Sequence, residues 1–337
     1  MPGFSFLPHG WIILDKPLGL GSTQAVAAVK RNLREAGLGK VKVGHGGTLD
    51  PLATGVLPIA LGEATKLAGR MLDASKVYAF TAAFGAETDT LDLEGKVIAQ
   101  SDVRPTRAQI EAVLPRFTGP IEQVPPAYSA LKVGGERAYD LARAGEAVEL
   151  AARAVTIFEI LPHWGRWRAE GVSEGALPSL QTPTVSPSGL PPPPEGEPLD
   201  AITLHAHVSK GTYIRSLARD IALALGTRGH VTMLRRLAAG PFTENQAISL
   251  DKLNEVGKGA ALENVLLPLE AGLVDIPALD LSSEQASMVR QGRVLSGLPQ
   301  HDGLFWARSG TIPLALMELS GGDARVVRGF NLSDVAE

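Results

Sequence analysis

Val43-Gly44-His45-Gly46-Gly47-Thr48-Leu49-Asp50-Pro51-Leu52-Ala53-Thr54-Gly55-Val56-Leu57-Pro58 sets a carboxylate directly before a proline inside a glycine-dense run. The residue before a proline is pushed toward extended geometry, so Asp50 belongs to a loop and not to a helix interior. Gly44, Gly46 and Gly47 let backbone come close to a ligand, and His45 offers an aromatic plane beside the carboxylate. An Asp-Pro step is also an ordinary turn initiator, so a chemical role needs support from the rest of the chain.

Upstream, Trp11-Ile12-Ile13-Leu14 predicts a buried strand, and Pro17-Leu18-Gly19-Leu20-Gly21 a loop. Ser22 or Thr23 can then cap a helix whose apolar face is Val26, Val29 and Leu33, ending at Gly37. Downstream, Tyr78, Phe80, Ala82 and Phe84 alternate like one face of a strand, and Thr106 caps a helix through Ile110, Val113 and Leu114. A short helix is expected over 137–144 and a strand over 155–160. Ile202, Leu204, Ala206 and Val208 then read as a strand, followed by a helix on Ile214, Leu217, Ile221 and Leu225 that Gly226 ends. Strands and helices mix without a regular βαβ repeat, which favours an α+β body around an antiparallel sheet. Residues 166–200 are rich in Pro, Gly and Ser and read as a disordered or extended surface insertion. After about Pro268, short apolar runs punctuated by glycines suit a small β-rich module.

With 337 residues, one large body plus one small module is the natural expectation. The apolar share of 45% is that of a globular protein, and nothing approaches the ~18 consecutive apolar residues of a membrane span. Asp15 cuts short the only early apolar run, so no signal peptide and a cytoplasmic location are expected. The absence of cysteine excludes disulfides, Cys-ligated zinc, iron–sulfur clusters and a thiol nucleophile. A formal charge of −4 means that any RNA surface must be local. Residues 210–236 hold Lys210, Arg215, Arg219, Arg228, Arg235 and Arg236 against one acid, Asp220, and are the expected surface.

Five blocks carry a resemblance: GWIILDKP from Gly10, GHGGTLDPLATGVLPIALGEATK from Gly44, KVYAF from Lys76, PPAYSALK from Pro125 and SKGTYIRSLARD from Ser209. In this order they resemble the TruB family of tRNA pseudouridine-55 synthases. The resemblance implies an α+β catalytic body on a bent antiparallel sheet over residues 1–268, with 166–200 as an insertion. It also implies a PUA-like RNA-binding module over 269–337. Asp50 matches the family's catalytic carboxylate, Arg215 the arginine that pairs with it, and Tyr78 the tyrosine that stacks on the flipped uracil and assists proton removal from C5. His45 matches a histidine that contacts RNA around the flipped nucleotide, and Tyr213 and Leu234 match residues lining the uracil. Lys16 and Lys132 fall in family blocks and are expected to touch backbone or phosphate.

A carboxylate can serve as the nucleophile when the C1′–N1 bond is broken and the uracil rejoined through C5. The residues leave open attack at C1′, attack at C6 and base-initiated elimination at the sugar. Two positions depart from the family: Gly46 stands where a Thr is usual after the His, and Gly21 where a Ser is common. No cofactor is expected, because the reaction is redox-neutral and no metal cluster, nucleotide loop or Ser/His/Asp set stands out. The expected partner is the T-arm of tRNA, bound by a monomer without guide RNA and without a membrane. The nearest alternative is a guide-dependent pseudouridine synthase, whose long basic extensions this chain lacks. A tRNA-folding chaperone is the alternative from a different class.

Overall fold

The computed structural model describes residues 8–332 apart from 130, 147, 149 and 164–193. The described chain divides into two compact units, one made of residues up to Pro51, Gly55–Leu72 and Ala239 onward, the other of Leu52–Thr54 and Asp73–Ala238.

In the first unit, strand Gly10–Lys16 runs antiparallel to Ala53–Leu61, from Gly10 opposite Leu61 to Lys16 opposite Gly55. Trp11, Ile12, Ile13 and Leu14 are all buried, because both faces of the strand are covered. The Trp11 indole donates from Nε1 to the Leu269 carbonyl at 3.0 Å, and its ring lies 5.1 Å from that of Phe242. Gly272 is required beneath it, since a Cβ there would stand 2.8 Å from Trp11 Cζ2. The segment after Pro268 forms a four-stranded sheet in the order Ala278–Asp280, Gly303–Ser309, Ile312–Ser320, Asp323–Gly329, parallel in its first pair and antiparallel in the others. Phe305, Leu314 and Met317 give this sheet its own core, while Leu316 and Phe330 join the cluster around Trp11.

The helix Ser22–Glu35 starts differently from the sequence expectation. Its N-cap is Gly21, whose backbone N–H is satisfied by the Gln24 side chain at 2.8 Å, and Ser22 is the first helical residue. Its buried face is Ala25, Ala28, Val29, Asn32 and Leu33, with Val26 only half-buried, so the apolar stripe is turned by one residue. A buried Asn32 made the stripe hard to read, since its amide is satisfied by Ala28 O and Asn254 Oδ1.

In the second unit, Lys76–Phe84 and Arg153–Pro162 both run antiparallel to Ala201–Val208, and Gly119–Gln123 pairs with Arg153–Ile157. Gly229–Ala239 flanks the other edge of Lys76–Phe84. One face of this sheet, through Phe80, Ala82, Leu204 and Ala206, packs against Ile214, Leu217 and Ile221 of the helix Ile214–Ala224. The expected cap of the helix Arg107–Val113 is present, as Thr106 Oγ1 accepts from the Gln109 N–H. Most of the 166–200 insertion lies outside the described residues. Its last residues are anchored: Leu199 N–H donates to Pro105 O at 2.9 Å, and Asp200 pairs with Arg104 at 2.7 Å. At that end residues 194–198 and Asp200 are exposed, as expected of a surface insertion, while Leu199 alone packs against the core that Phe80 belongs to.

The opposite sheet face carries His205, whose ring stacks on His163 at 4.8 Å. Burial, with His163 next to it, pushes the His205 imidazole down to about 4. Burial lowers His163 and His207 as well. Between pH about 4 and 6.5 the unfolded chain therefore binds more protons than the folded one. The His205 contribution is complete above 6.5 and is lost as pH falls toward 4, to a limit of roughly 3 kcal/mol. Urea unfolding of His205→Phe at pH 4–7 should give a shallower acid limb than the native chain. Identical limbs would show that burial does not hold the His205 imidazole uncharged in the folded state.

Candidate active site

Asp50 lies in the loop between strands Val43–His45 and Ala53–Leu61, and the residues on both sides of it are tied to the chain between the first strand and first helix. On one side, the Ser22 hydroxyl accepts from the Leu49 N–H at 2.8 Å and donates to the Leu49 carbonyl at 3.0 Å. On the other, the Pro51 carbonyl accepts from the Gly19 N–H at 2.9 Å and from Lys16 Nζ at 3.3 Å. Lys16 is fully buried and also donates to the carbonyls of Pro17 and Leu20 at 3.1 and 2.6 Å. These contacts are to the protein's own carbonyls and not to the substrate backbone or phosphate expected of Lys16. An ammonium with no exposed surface cannot meet a phosphate from solvent without the loops opening.

His45 is half-buried at the end of its strand, opposite Ile59. Its Nδ1 faces the Gly47 N–H at 3.4 Å, which in the neutral ring leaves the proton on Nε2. The departure at Gly46 has a steric reason, since a Cβ there would fall 2.5 Å from Met71 Cβ. Met71 thus fills the space that a threonine side chain would need. Gly21 has ordinary extended backbone, φ −76°, and no such restriction.

In the second unit, Tyr78 and Leu234 are both half-buried against the core that holds Phe80. Tyr213 is the N-cap residue of Ile214–Ala224, and its N–H donates to Gln123 Oε1 at 2.8 Å. The Arg153 guanidinium lies over the Tyr213 ring, 4.7 Å from its centre, and also donates to the Gly211 carbonyl. Lys132 is exposed on the small hairpin Lys132–Val133 and Glu136–Arg137.

Arg215 is buried, and Thr90, Asp92 and Tyr128 of its own unit are among its partners. Nη1 donates to Thr90 O at 2.8 Å and to Asp92 Oδ2 at 3.2 Å, and Nη2 donates to Tyr128 O at 3.0 Å. Asp92 is held in turn by the Thr90 hydroxyl at 2.5 Å and the Glu94 N–H at 3.0 Å. Between Thr90 and Asp92, Leu91 adopts φ +62°, a left-handed conformation costing about 1–3 kcal/mol for a side chain of this kind, and its carbonyl accepts from the Val231 N–H. Sequence reading missed Ser22 as a tether, and Asp92, Gln123 and Arg153 altogether. The run Thr88-Asp89-Thr90-Leu91-Asp92, alternating hydroxyls and carboxylates, is the one signal that pointed to Asp92.

The 210–236 segment is not a uniform basic surface. Arg215 and Arg236 are buried, while Lys210 pairs with Asp73, Arg219 with Asp220 and Arg228 with Glu87. Among the described residues no group of three or more His, Asp or Glu is placed to hold a metal ion, and no helix is long and apolar enough to cross a membrane.

Two family models match: the TruB family pseudouridylate synthase N-terminal domain over residues 34–165, and the tRNA pseudouridylate synthase B C-terminal domain over 215–274. The chain is 68% identical to a tRNA pseudouridine synthase B of Novosphingobium aromaticivorans, covering 97% of this chain and 99% of that one. It is 57% identical to the tRNA pseudouridine synthase B of Zymomonas mobilis, covering 96% of each. Among solved structures, it shares its fold with a chain of an H/ACA RNP bound to a substrate RNA containing 2′-deoxyuridine. The TM-score is 0.65 at 23% identity, over 96% of this chain and 86% of that one.

Removing Asp92 strands a buried cation. Asp92→Ala should therefore lower the unfolding free energy by about 3–5 kcal/mol, and Asp92→Asn by less, because the amide oxygen still accepts from Arg215. Equal denaturation midpoints for native and Asp92→Ala proteins would mean that Arg215 does not depend on this carboxylate.

Proposed function

The chain belongs to the TruB family of pseudouridylate synthases, and from that membership we infer that it isomerises uridine 55 in the T-loop of tRNA through Asp50. Pseudouridine synthases are isomerases, and tRNA is the RNA on which this family member works. The observation that supports the finer reading best is the two-sided tether of the Asp50 loop. It presents a carboxylate in a fixed place, as a group that must act on one nucleotide requires.

In this reading the target uridine is extruded from the T-loop, at an unstacking cost of a few kcal/mol that protein groups offset. His45 contacts the RNA around the extruded nucleotide. The uracil lies on the Tyr78 ring, with Leu234 and Tyr213 lining its site. Asp50 acts on the nucleotide to break the C1′–N1 bond, the uracil turns, and a C1′–C5 bond forms. The C5 proton then leaves, assisted by the Tyr78 hydroxyl, and N1 gains a proton, so product and substrate have the same composition. In this reading Arg215 is the cation that keeps the catalytic carboxylate ionised, and its Asp92 and carbonyl partners fix its guanidinium within its own unit. The enzyme acts as a monomer and without guide RNA. The relatives of higher identity, named tRNA pseudouridine synthases, favour that over the guide-dependent alternative.

Asp50→Asn should fold and bind tRNA as the native protein does yet form no pseudouridine, read as tritium release from tRNA labelled at uridine C5. A near-native single-turnover rate would remove Asp50 from the mechanism. For Tyr78, the ring and the hydroxyl separate. Tyr78→Phe keeps affinity, since stacking worth about 1–3 kcal/mol survives, but slows the chemical step. Tyr78→Leu loses both. A Leu variant as fast as the native protein would leave Tyr78 with only a packing role.

A further inference from the structure

Residues 30–42 contain Lys30, Arg31, Arg34, Lys40 and Lys42 against a single acid, Glu35. Lys30, Arg31 and Arg34 project from the solvent side of the helix Ser22–Glu35, opposite its buried face of Ala25, Ala28, Val29 and Leu33. Past the helix, Gly37 and Gly39 take φ +80° and +66°, and the chain returns through Lys40 and Lys42 into strand Val43–His45, which packs against the same helix. All five cations are exposed. Among the described residues Lys30, Arg34, Lys40 and Lys42 have no ion-pair partner, and Arg31 only shares a hydrogen bond with Asn254 at 3.2 Å. The neighbouring helix Leu250–Gly257 does not neutralise them: its Glu255 is paired with Lys252, leaving Asp251 as its other acid. This differs from residues 210–236, where Arg215 and Arg236 are buried, Lys210, Arg219 and Arg228 are matched with carboxylates, and Arg235 is half-buried and donates to the Thr54 hydroxyl.

We propose that this patch binds the phosphate backbone of the double-stranded RNA stem next to the reacting loop. It is the first helix and its return strand, not residues 210–236, that supply the counterion-displacing charge. The occupant follows from charge complementarity: unpaired, solvated cations on an otherwise acidic chain gain most from a polyanion whose condensed counterions they release. The patch is also joined to the catalytic loop by short connections, since Ser22 at one end of the helix holds Leu49 and the return strand ends in His45. The proposal rests on the reading of tRNA as the substrate. Cations in the last turns of a helix also favour its dipole, which gives the competing explanation a distinct signature.

The test is the triple variant Lys30→Gln, Arg34→Gln, Lys40→Gln, compared with Lys30→Arg, Arg34→Lys, Lys40→Arg. Binding to unmodified tRNA transcript is titrated across a salt series, and single-turnover isomerisation is measured at saturating enzyme. The glutamine triple should bind about tenfold or more weakly near 0.1 M salt, with the slope of log affinity against log salt shallower by about 2. Its saturated rate should stay native, and the charge-conserving triple should match the native protein throughout. Native affinity and slope in the glutamine triple would overturn the proposal, as would a lowered melting temperature with unchanged slope, the mark of helix stabilisation alone. If the native protein itself neither binds nor modifies tRNA, the substrate reading fails instead.

Discussion

The residues on both sides of Asp50 are tied down by polar side chains from the first strand and first helix. Ser22 spends its hydroxyl on both backbone groups of Leu49, and Lys16 spends a buried ammonium on the carbonyls of Pro17, Leu20 and Pro51. A glycine-dense loop costs about 1–2 kcal/mol per residue in backbone entropy to fix, so such a loop stays open unless polar tethers of this strength close it. The first strand gives those tethers a rigid base: Trp11, Ile13 and Leu14 are buried on both faces and the strand is paired over its whole length with Ala53–Leu61. The loop, the strand before it and the strand after it thus form one constraint, and a helix start that gives up its serine cap is part of the cost.

The second unit uses the same logic with charges. Arg215 is removed from water and given a carboxylate and two carbonyls, and Asp92 is given a hydroxyl and an N–H. A half-satisfied network of this kind would be worse than an apolar core, so each member is matched, even at the expense of a left-handed Leu91. Such a cation is a fixed electrostatic element. The solvated cations of residues 30–42 are of a different kind: they are available to a polyanion because no carboxylate of the described protein pairs with them.

Most of the fold was legible because its signals are local. The alternation around Tyr78 and Phe80, the run Trp11 to Leu14, the Thr106 cap and the Gly226 stop each follow from a period or a cap, and each stands where it was expected. The misreadings share a cause, namely a polar side chain used over a long sequence distance. Ser22 looked like a cap until Leu49 claimed its hydroxyl, and Asn32 hid in the apolar stripe because Asn254 satisfies it. Charge counting overstated the unmatched charge of residues 210–236 for the same reason, since the carboxylates Asp73, Glu87 and Asp92 lie far back in the chain. The Gly46 departure was visible as a difference, but its reason, contact with Met71, needed coordinates.

The proposed reaction is one chemical event at one nucleotide. Purified protein, alone with an unmodified tRNA transcript, should convert a single uridine to pseudouridine, mapped by carbodiimide adduct and primer extension to position 55 of the T-loop. Conversion at that position without any added RNA is the predicted result. No pseudouridine, or pseudouridine only when a guide RNA is supplied, would contradict it.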